Sequence, residues 1–175
     1  MATAFKLFRK KKDGNLYPLY VEANTQMPIG VWIDAVEGER RADGKVKANG
    51  CGGSLAYRPG LHLGKIPKAD WIGKKQKDGT LAQRKDCVWC EVEYSTEINY
   101  QQEARENGWK KGRWAAKRAC LDHLPVNGYY EYKTNSKQPE PWIICGSMRI
   151  IRELTNEEVA TICRDHGVEP QKVAQ

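Results

Sequence analysis

The chain has 175 residues, of which 40% are apolar and 29% are charged, and its formal net charge is +7. This length fits one domain with at most a small appendage, and the apolar fraction excludes an intrinsically disordered chain. The positive excess favours acidic partners (nucleic acid, a nucleoprotein or an acidic protein surface), although a basic, well-solvated surface without such a partner has the same composition.

No apolar run is long enough to span a bilayer, and the first residues do not have the pattern of a signal peptide. We therefore expect a soluble, cytoplasmic protein with reduced cysteines and without a membrane partner. Cys87 and Cys90 have CxxC spacing, but they lie in a predicted strand, where side chains three positions apart point to opposite faces. We predict no metal site from them.

In the first part of the chain, residues 5–9 alternate and predict a strand, and residues 16–21 predict its hairpin partner, with Pro18 favouring an edge or bulge. The tip between them offers candidate partner-binding residues or, alternatively, a solvated turn. These candidates are Lys10, Lys11 and Lys12.

Residues 27–35 predict a turn and a further strand. Residues 37–53 are polar and lack apolar periodicity, and they predict a long loop that is mobile until it binds. Arg40 and Arg41 give this loop a positive character and are candidate partner-binding residues.

The corner formed by residues 57–73 is the stretch around which we expect the chain to be organised. Pro59-Gly60 predicts a turn, and residues 61–63 alternate as a short half-buried strand. Such a braced corner commonly closes a cleft, and its candidate pocket residues are Arg58, His62 and Trp71.

After this strand, Pro67 fits the first turn of a short helix. We expect Ala69, Trp71 and Ile72 to face inward from that helix.

Residues 74–80 predict a second basic loop, in which Lys74 and Lys75 are candidate partner-binding residues. The next strand, residues 87–94, places Glu91 and Glu93 on one face with Trp89. The two carboxylates are candidate pocket residues as a paired-acid site. The alternative is a solvated sheet face on which they pair with cations.

Residues 100–106 predict a helix, and the segment after it interleaves aromatic and basic side chains. That composition is typical of a surface that stacks bases and contacts phosphates, and equally of a loop pinned to the core by its tryptophans. The candidate partner-binding residues here are Trp109, Lys110, Lys111, Arg113 and Trp114.

Strands are predicted at residues 129–132, 142–145 and 148–154. Thr155 and Glu158 form a capping box that begins a final helix, and Gly167 is suited to end it. The expected fold is α+β: mostly antiparallel, strongly bent sheets with a few short helices and a C-terminal capping helix. We expect one domain over residues 1–154, with residues 155–175 packed on it.

The corner at residues 57–64, the strand at 88–94 and the strand at 142–150 resemble, in their order, the second half of an ADP-ribosyltransferase-type domain. Over most of the chain, the same blocks are similar to uncharacterised accessory domains of gut bacteriophages and prophages. The first resemblance implies NAD as a cofactor, a pocket at the corner and Glu91, Glu93 or Glu140 as the acid. The usual tyrosine of that family falls on His62, and no histidine precedes it in the chain.

Because a complete catalytic set is missing, we expect no catalytic residue and no obligatory cofactor. The first hypothesis is a small basic phage or mobile-element protein that binds a host protein or nucleoprotein complex in the bacterial cytoplasm, with nucleic acid as a further possible partner. Its function would be to inhibit a nucleic-acid-directed host defence, as anti-CRISPR proteins do. The alternative is an ADP-ribosyltransferase-like enzyme or a domain that binds NAD or another nucleotide.

Overall fold

The computed structural model describes residues 1–112, 119–134 and 136–175. Within these ranges, the chain forms a mixed α/β domain with more sheet than helix. The two helices are α1 (Gln101–Lys110) and α2 (Asn156–Asp165). The strands are β1 (Ala2–Lys10), β2 (Leu16–Tyr17), β3 (Trp32–Asp34), β4 (Val46–Lys47), β5 (Ser54–Leu55), β6 (Leu61–Gly64), β7 (Lys74–Lys75), β8 (Leu81–Ala82), β9 (Cys87–Tyr94), β10 (Ile98–Asn99), β11 (Gly128–Tyr132), β12 (Trp142–Cys145) and β13 (Ser147–Glu153).

Nine of these strands form one open, mostly antiparallel sheet in the order β10-β11-β12-β6-β1-β9-β13-β3, with β2 paired to β1. Only β10 and β11 run parallel. The centre of this sheet is split, because β1 and β6 pair only at Phe5 and Gly64. The hairpins β4–β5 and β7–β8 form two further small sheets.

Strand alternation gives the main sheet two apolar faces. The first face carries Cys90 and Val92 of β9 with Ile143 of β12, and loop residues such as Met27 pack on it. The second face carries Cys87 and Trp89 of β9, so the prediction that the two cysteines point to opposite sides is confirmed.

Both helices pack on the second face. Val159 and Cys163 of α2 contact the apolar cluster around Leu7 and Trp89. Ala104 of α1 belongs to a separate cluster with Tyr130 and Ile144. Trp142 packs against both clusters and so lies between the two helical regions.

The predicted ends of the C-terminal helix are confirmed. The Thr155 side chain accepts a hydrogen bond from the amide of Glu158, and the Glu158 carboxylate accepts one from the amide of Thr155. Gly167 has a φ of 72°, and Val168 donates to the carbonyl of Cys163, which completes a Schellman C-cap.

Several local predictions are wrong. The short helix after Pro67 is absent, and a turn closed by Ile72 N–H and Ala69 C=O replaces it. Ala69 is fully buried, as expected, but Trp71 is 49% exposed and does not face inward. The segment is too short, between Gly64 and Gly73, to offset the cost of starting a helix.

Three stretches also differ from the expected loops and strands. Residues 37–53 are not structureless, because they contain β4 and a 3₁₀ turn at Cys51–Gly53. Residues 74–82 form the β7–β8 hairpin. The strand that returns from the first tip ends at Tyr17, because Pro18 cannot continue the ladder.

Candidate binding surfaces

The corner that carries His62 needs glycine at position 60. Gly60 has a φ of 130°, and a Cβ atom added there would lie 2.4 Å from Cγ2 of Ile144. A larger residue would therefore displace β6 from β12, where His62 pairs with Ile144. The turn thus fixes the position of the imidazole against the sheet.

His62 is half-buried, and its surroundings disfavour its charged form. Its Nδ1 lies 3.3 Å from the carbonyl oxygen of Gly60, and its ring meets that of Tyr132 edge-on at 6.2 Å. Burial, followed by the positive charges of Lys6 and Arg58, lowers the pKa of His62 to about 3. Burial and these charges therefore favour the neutral imidazole near pH 7.

Lys6, which sequence analysis did not single out, lies at the split between β1 and β6. Its Nζ donates a hydrogen bond of 2.9 Å to the backbone carbonyl of His62, a group that a continuous ladder would engage. Burial lowers the pKa of Lys6 to about 8, against a smaller opposing effect of Cys145. Burial raises the pKa of the Cys145 thiol to about 12, so this thiol is not a nucleophile at neutral pH.

Arg58 lies on the same face of the sheet as the His62 ring, against Tyr132. Its guanidinium lies 3.7 Å from the ring centroid of Tyr132 and donates to the backbone carbonyl of Ala119. Within the described residues, neither Arg58 nor Lys6 forms an ion pair with a carboxylate. Arg58, His62 and Tyr132, here termed the cationic cluster, therefore have the chemistry to hold an anionic group beside an aromatic ring. The Lys6 side chain lies on the other face of the sheet, near Phe8.

Trp71 lies near this cluster rather than in it. Its ring packs edge-on against Trp142 at 5.3 Å, and Trp142 pairs with Tyr132 across β11 and β12. Of the corner residues, the structure thus brings Arg58 and His62 together and leaves Trp71 as an exposed neighbour.

Glu91 and Glu93 lie on β9, which β1 separates from β6. Arg152 Nε lies 3.1 Å from the Glu91 carboxylate. The Arg149 guanidinium holds Glu93 through two nitrogens. Both carboxylates thus face arginines of β13, and the structure does not bring them to the cationic cluster.

Backbone hydrogen bonds place the lysine-bearing tip at residues 10–12 next to the segment that follows the β7–β8 hairpin. The amide of Lys10 donates to the carbonyl of Asp86, and the amide of Gln83 donates to the carbonyl of Lys172. Residues 83–86 directly follow the β7–β8 hairpin, so this segment connects the lysines of the tip and of the hairpin with the C-terminal tail. We term the result the basic surface: Lys10, Lys11, Lys12, Lys74, Lys75, Lys77, Arg84, Lys85 and Lys172.

Three aspartates (13, 78 and 86) and Glu153 lie among the lysines of the basic surface, and each offsets part of its charge. Asp13 accepts hydrogen bonds from Tyr17 and Asn15, and Asp78 accepts two from Thr80, so both are engaged within their own turns. Lys10 pairs with Glu153 at 2.9 Å. In the described ranges, Lys12, Lys74, Lys75 and Lys77 form no ion pair, and all four are exposed.

Arg40 and Arg41, which lie between β3 and β4, already contact neighbouring groups. The Arg40 guanidinium lies 3.6 Å from the Tyr57 ring centroid, and its Nε donates to the carbonyl of Gly44. Arg41 lies 3.8 Å from the Asp43 carboxylate.

Trp109 and Lys110 belong to the last turn of α1, not to a loop. Trp109 is 73% exposed and lines an open groove of about 360 Å³ with Lys110 and Arg105. Lys111 forms an ion pair with Asp122. Arg113 and Trp114 lie outside the described residues.

Over the described ranges, no group of three or more potential metal ligands converges, and no helix is long and apolar enough to cross a membrane. The described cysteines 87, 90, 120, 145 and 163 are buried free thiols.

Comparison with known proteins adds no relative: no family model, no curated protein and no solved structure matches this chain.

Proposed function

We propose that this protein acts by binding an acidic macromolecular partner, a host protein or nucleoprotein complex, through the basic surface. The observation that carries the proposal is that backbone hydrogen bonds connect two lysine-rich segments that are separated by about sixty residues of chain. Exposed lysines without an ion pair attract phosphates or carboxylates at long range and release counterions on binding. Arg149 and Arg152 are already paired with glutamates and therefore contribute less to such long-range attraction.

The test is binding of fluorescent duplex DNA and of labelled polyglutamate, which distinguish a nucleic-acid partner from an acidic protein. We expect the double substitution Lys74→Glu/Lys75→Glu to weaken binding of the preferred probe at least tenfold. With DNA, the slope of log affinity against log salt should fall by about 0.9 for each phosphate that the variant no longer neutralises.

The matched control is Lys45→Glu/Lys110→Glu, which changes the net charge equally at exposed positions on other elements. It should retain most of the binding. Equal losses in both double variants would mean that net charge alone drives association, and a larger loss in the control would move the interface to α1.

A finer form of this proposal is a phage or mobile-element protein that inhibits a nucleic-acid-directed host defence. It rests on the sequence resemblance stated above and on the basic surface. Its test is interference with a reconstituted defence nuclease, where loss of inhibition on Lys74→Glu/Lys75→Glu substitution would support it and absence of inhibition by the wild type would exclude it for that nuclease.

The cationic cluster favours a second candidate function, namely binding of NAD or another nucleotide by an ADP-ribosyltransferase-like domain. Arg58 stacked on Tyr132, beside the neutral His62, offers a charge for phosphate and rings for stacking. Because Glu91 and Glu93 are held by arginines, binding is better supported than catalysis. Calorimetry with NAD tests it: no heat at millimolar ligand, together with no label transfer from biotinylated NAD, would exclude it.

A further inference from the structure

We propose that this protein forms a two-fold symmetric dimer in which β3 of one copy pairs antiparallel with β3 of a second copy. Within the described residues, β3 is the last strand of the main sheet and has a neighbour, β13, on one side only. An open strand edge is a template for pairing with another chain unless charge, proline or a covering element protects it.

Backbone N–H and C=O groups of β3 point outward at the positions that this pairing needs. The amide of Ala35 donates to the carbonyl of Gly146 at 2.8 Å. Since hydrogen-bonded pairs alternate along an antiparallel ladder, the backbone groups of Ile33 face β13, and those of Trp32 and Asp34 face away from it. These outward groups of Trp32 and Asp34 are the ones that a second strand would engage.

Exposed apolar side chains are concentrated at this edge. Of the eleven large apolar side chains that are exposed in the described part of the chain, five lie on or beside β3. They are Ile29 (50%), Val31 (53%), Trp32 (40%), Val36 (61%) and Ile151 (38%). A concentration of exposed apolar side chains is typical of an interaction surface rather than of solvated sheet.

The charges at this edge favour a second copy of the same strand. A two-fold axis at Ile33 places Trp32 opposite Asp34 of the second copy. The Arg149 guanidinium lies 5.5 Å from the Trp32 ring and holds Glu93 through Nε and Nη2, so the incoming Asp34 carboxylate would approach its remaining nitrogen, Nη1. Asp34 itself has no ion pair among the described residues. The edge is therefore self-complementary on a chain that otherwise repels its own copies.

Sedimentation velocity over a range of concentrations tests the proposal, and we expect a reversible monomer–dimer equilibrium. Asp34→Lys should weaken dimerisation at least tenfold, since it places a lysine beside Arg149 of the other copy. Trp32→Pro removes an outward-facing donor that β13 does not use, so it should abolish dimerisation while thermal unfolding shows a folded chain.

The control is Glu106→Lys, which makes the same change of charge at an exposed position of α1, and α1 packs near the opposite end of the sheet order from β3. It should leave the dimer unchanged. A wild type that remains monomeric at all concentrations, or equal weakening by Asp34→Lys and Glu106→Lys, would overturn the proposal.

A cross-link fixes the register. At a two-fold axis through residue 33 the two Cα atoms form a non-hydrogen-bonded pair about 4.5 Å apart, a separation that a disulfide can bridge. Ile33→Cys should therefore form a covalent dimer under mild oxidation, whereas the wild type should not. Absence of this cross-link in a variant that still dimerises would contradict the proposed strand pairing.

Discussion

His62 is held as a neutral imidazole by burial and by two nearby positive charges. Its pKa of about 3 lies below the ordinary value near 6.5, so between these values the unfolded chain binds a proton that the folded chain does not. Acidification through this window therefore favours unfolding. Of these two cations, Arg58 is the one that an anionic ligand beside Tyr132 would approach.

We predict that His62→Asn removes this acid sensitivity, because an asparagine amide can replace Nδ1 without titrating. As the pH falls from 6.5 towards 3, the wild type should lose free energy of unfolding relative to the variant, measured by urea titration at each pH. The control is His123→Asn. Hydrogen bonding to Glu103 is the main cause that raises the pKa of the exposed His123. The contribution of His123 to stability is therefore present below pH 6.5 and lost as the pH rises. An equal response of both variants would contradict the lowered pKa of His62.

Lys6 gives a prediction in the alkaline range. Its folded pKa of about 8 lies below the ordinary 10.5, so the unfolded chain binds the extra proton between these values. The free energy of unfolding of the wild type should therefore rise relative to that of Lys6→Met as the pH increases from 8 to 10.5, at up to about 1.4 kcal/mol per pH unit. A pH-independent difference between the two proteins in urea titrations would show that Lys6 keeps its ordinary pKa.

At the scale of elements, the sequence determines local structure best where one signal acts alone. The capping box at Thr155 and the positive-φ glycine at position 167 set both ends of α2. The helix expected after Pro67 fails because burial of Ala69 and the two flanking glycines outweigh helix propensity in so short a segment. How strongly the main sheet bends stays a prediction.

We predict that Thr155→Ala lowers the free energy of unfolding by about 1 kcal/mol, because the N3 amide loses its acceptor. Thr161→Ala is the matched control on the same helix. The Thr161 hydroxyl only donates back to the carbonyl of Glu157, so this change should stay within about 0.5 kcal/mol. Chemical denaturation of both variants measures the difference, and equal effects would argue against the capping box as a source of stability.

At the scale of the whole molecule, the candidate surfaces depend on contacts that no local pattern contains. The lysines at 10–12 and 74–75 are visible in the sequence, but the backbone hydrogen bonds that connect their segments join residues 10 to 86 and 83 to 172. Lys6 reads as one polar position in an alternating strand, and nothing local predicts its hydrogen bond to His62. Arg58 and His62 could be proposed from the corner motif, because two residues of one turn and strand remain neighbours in any fold.

The basic surface is the feature on which the proposed function depends, and amide NMR maps it most directly. In a titration with short duplex DNA or polyglutamate, we predict that the largest shift changes fall on residues 10–12, 74–77, 84–85 and 172, and that they diminish as salt increases. Shift changes confined to α1, or spread evenly over all exposed lysines, would contradict a partner-binding role for this surface.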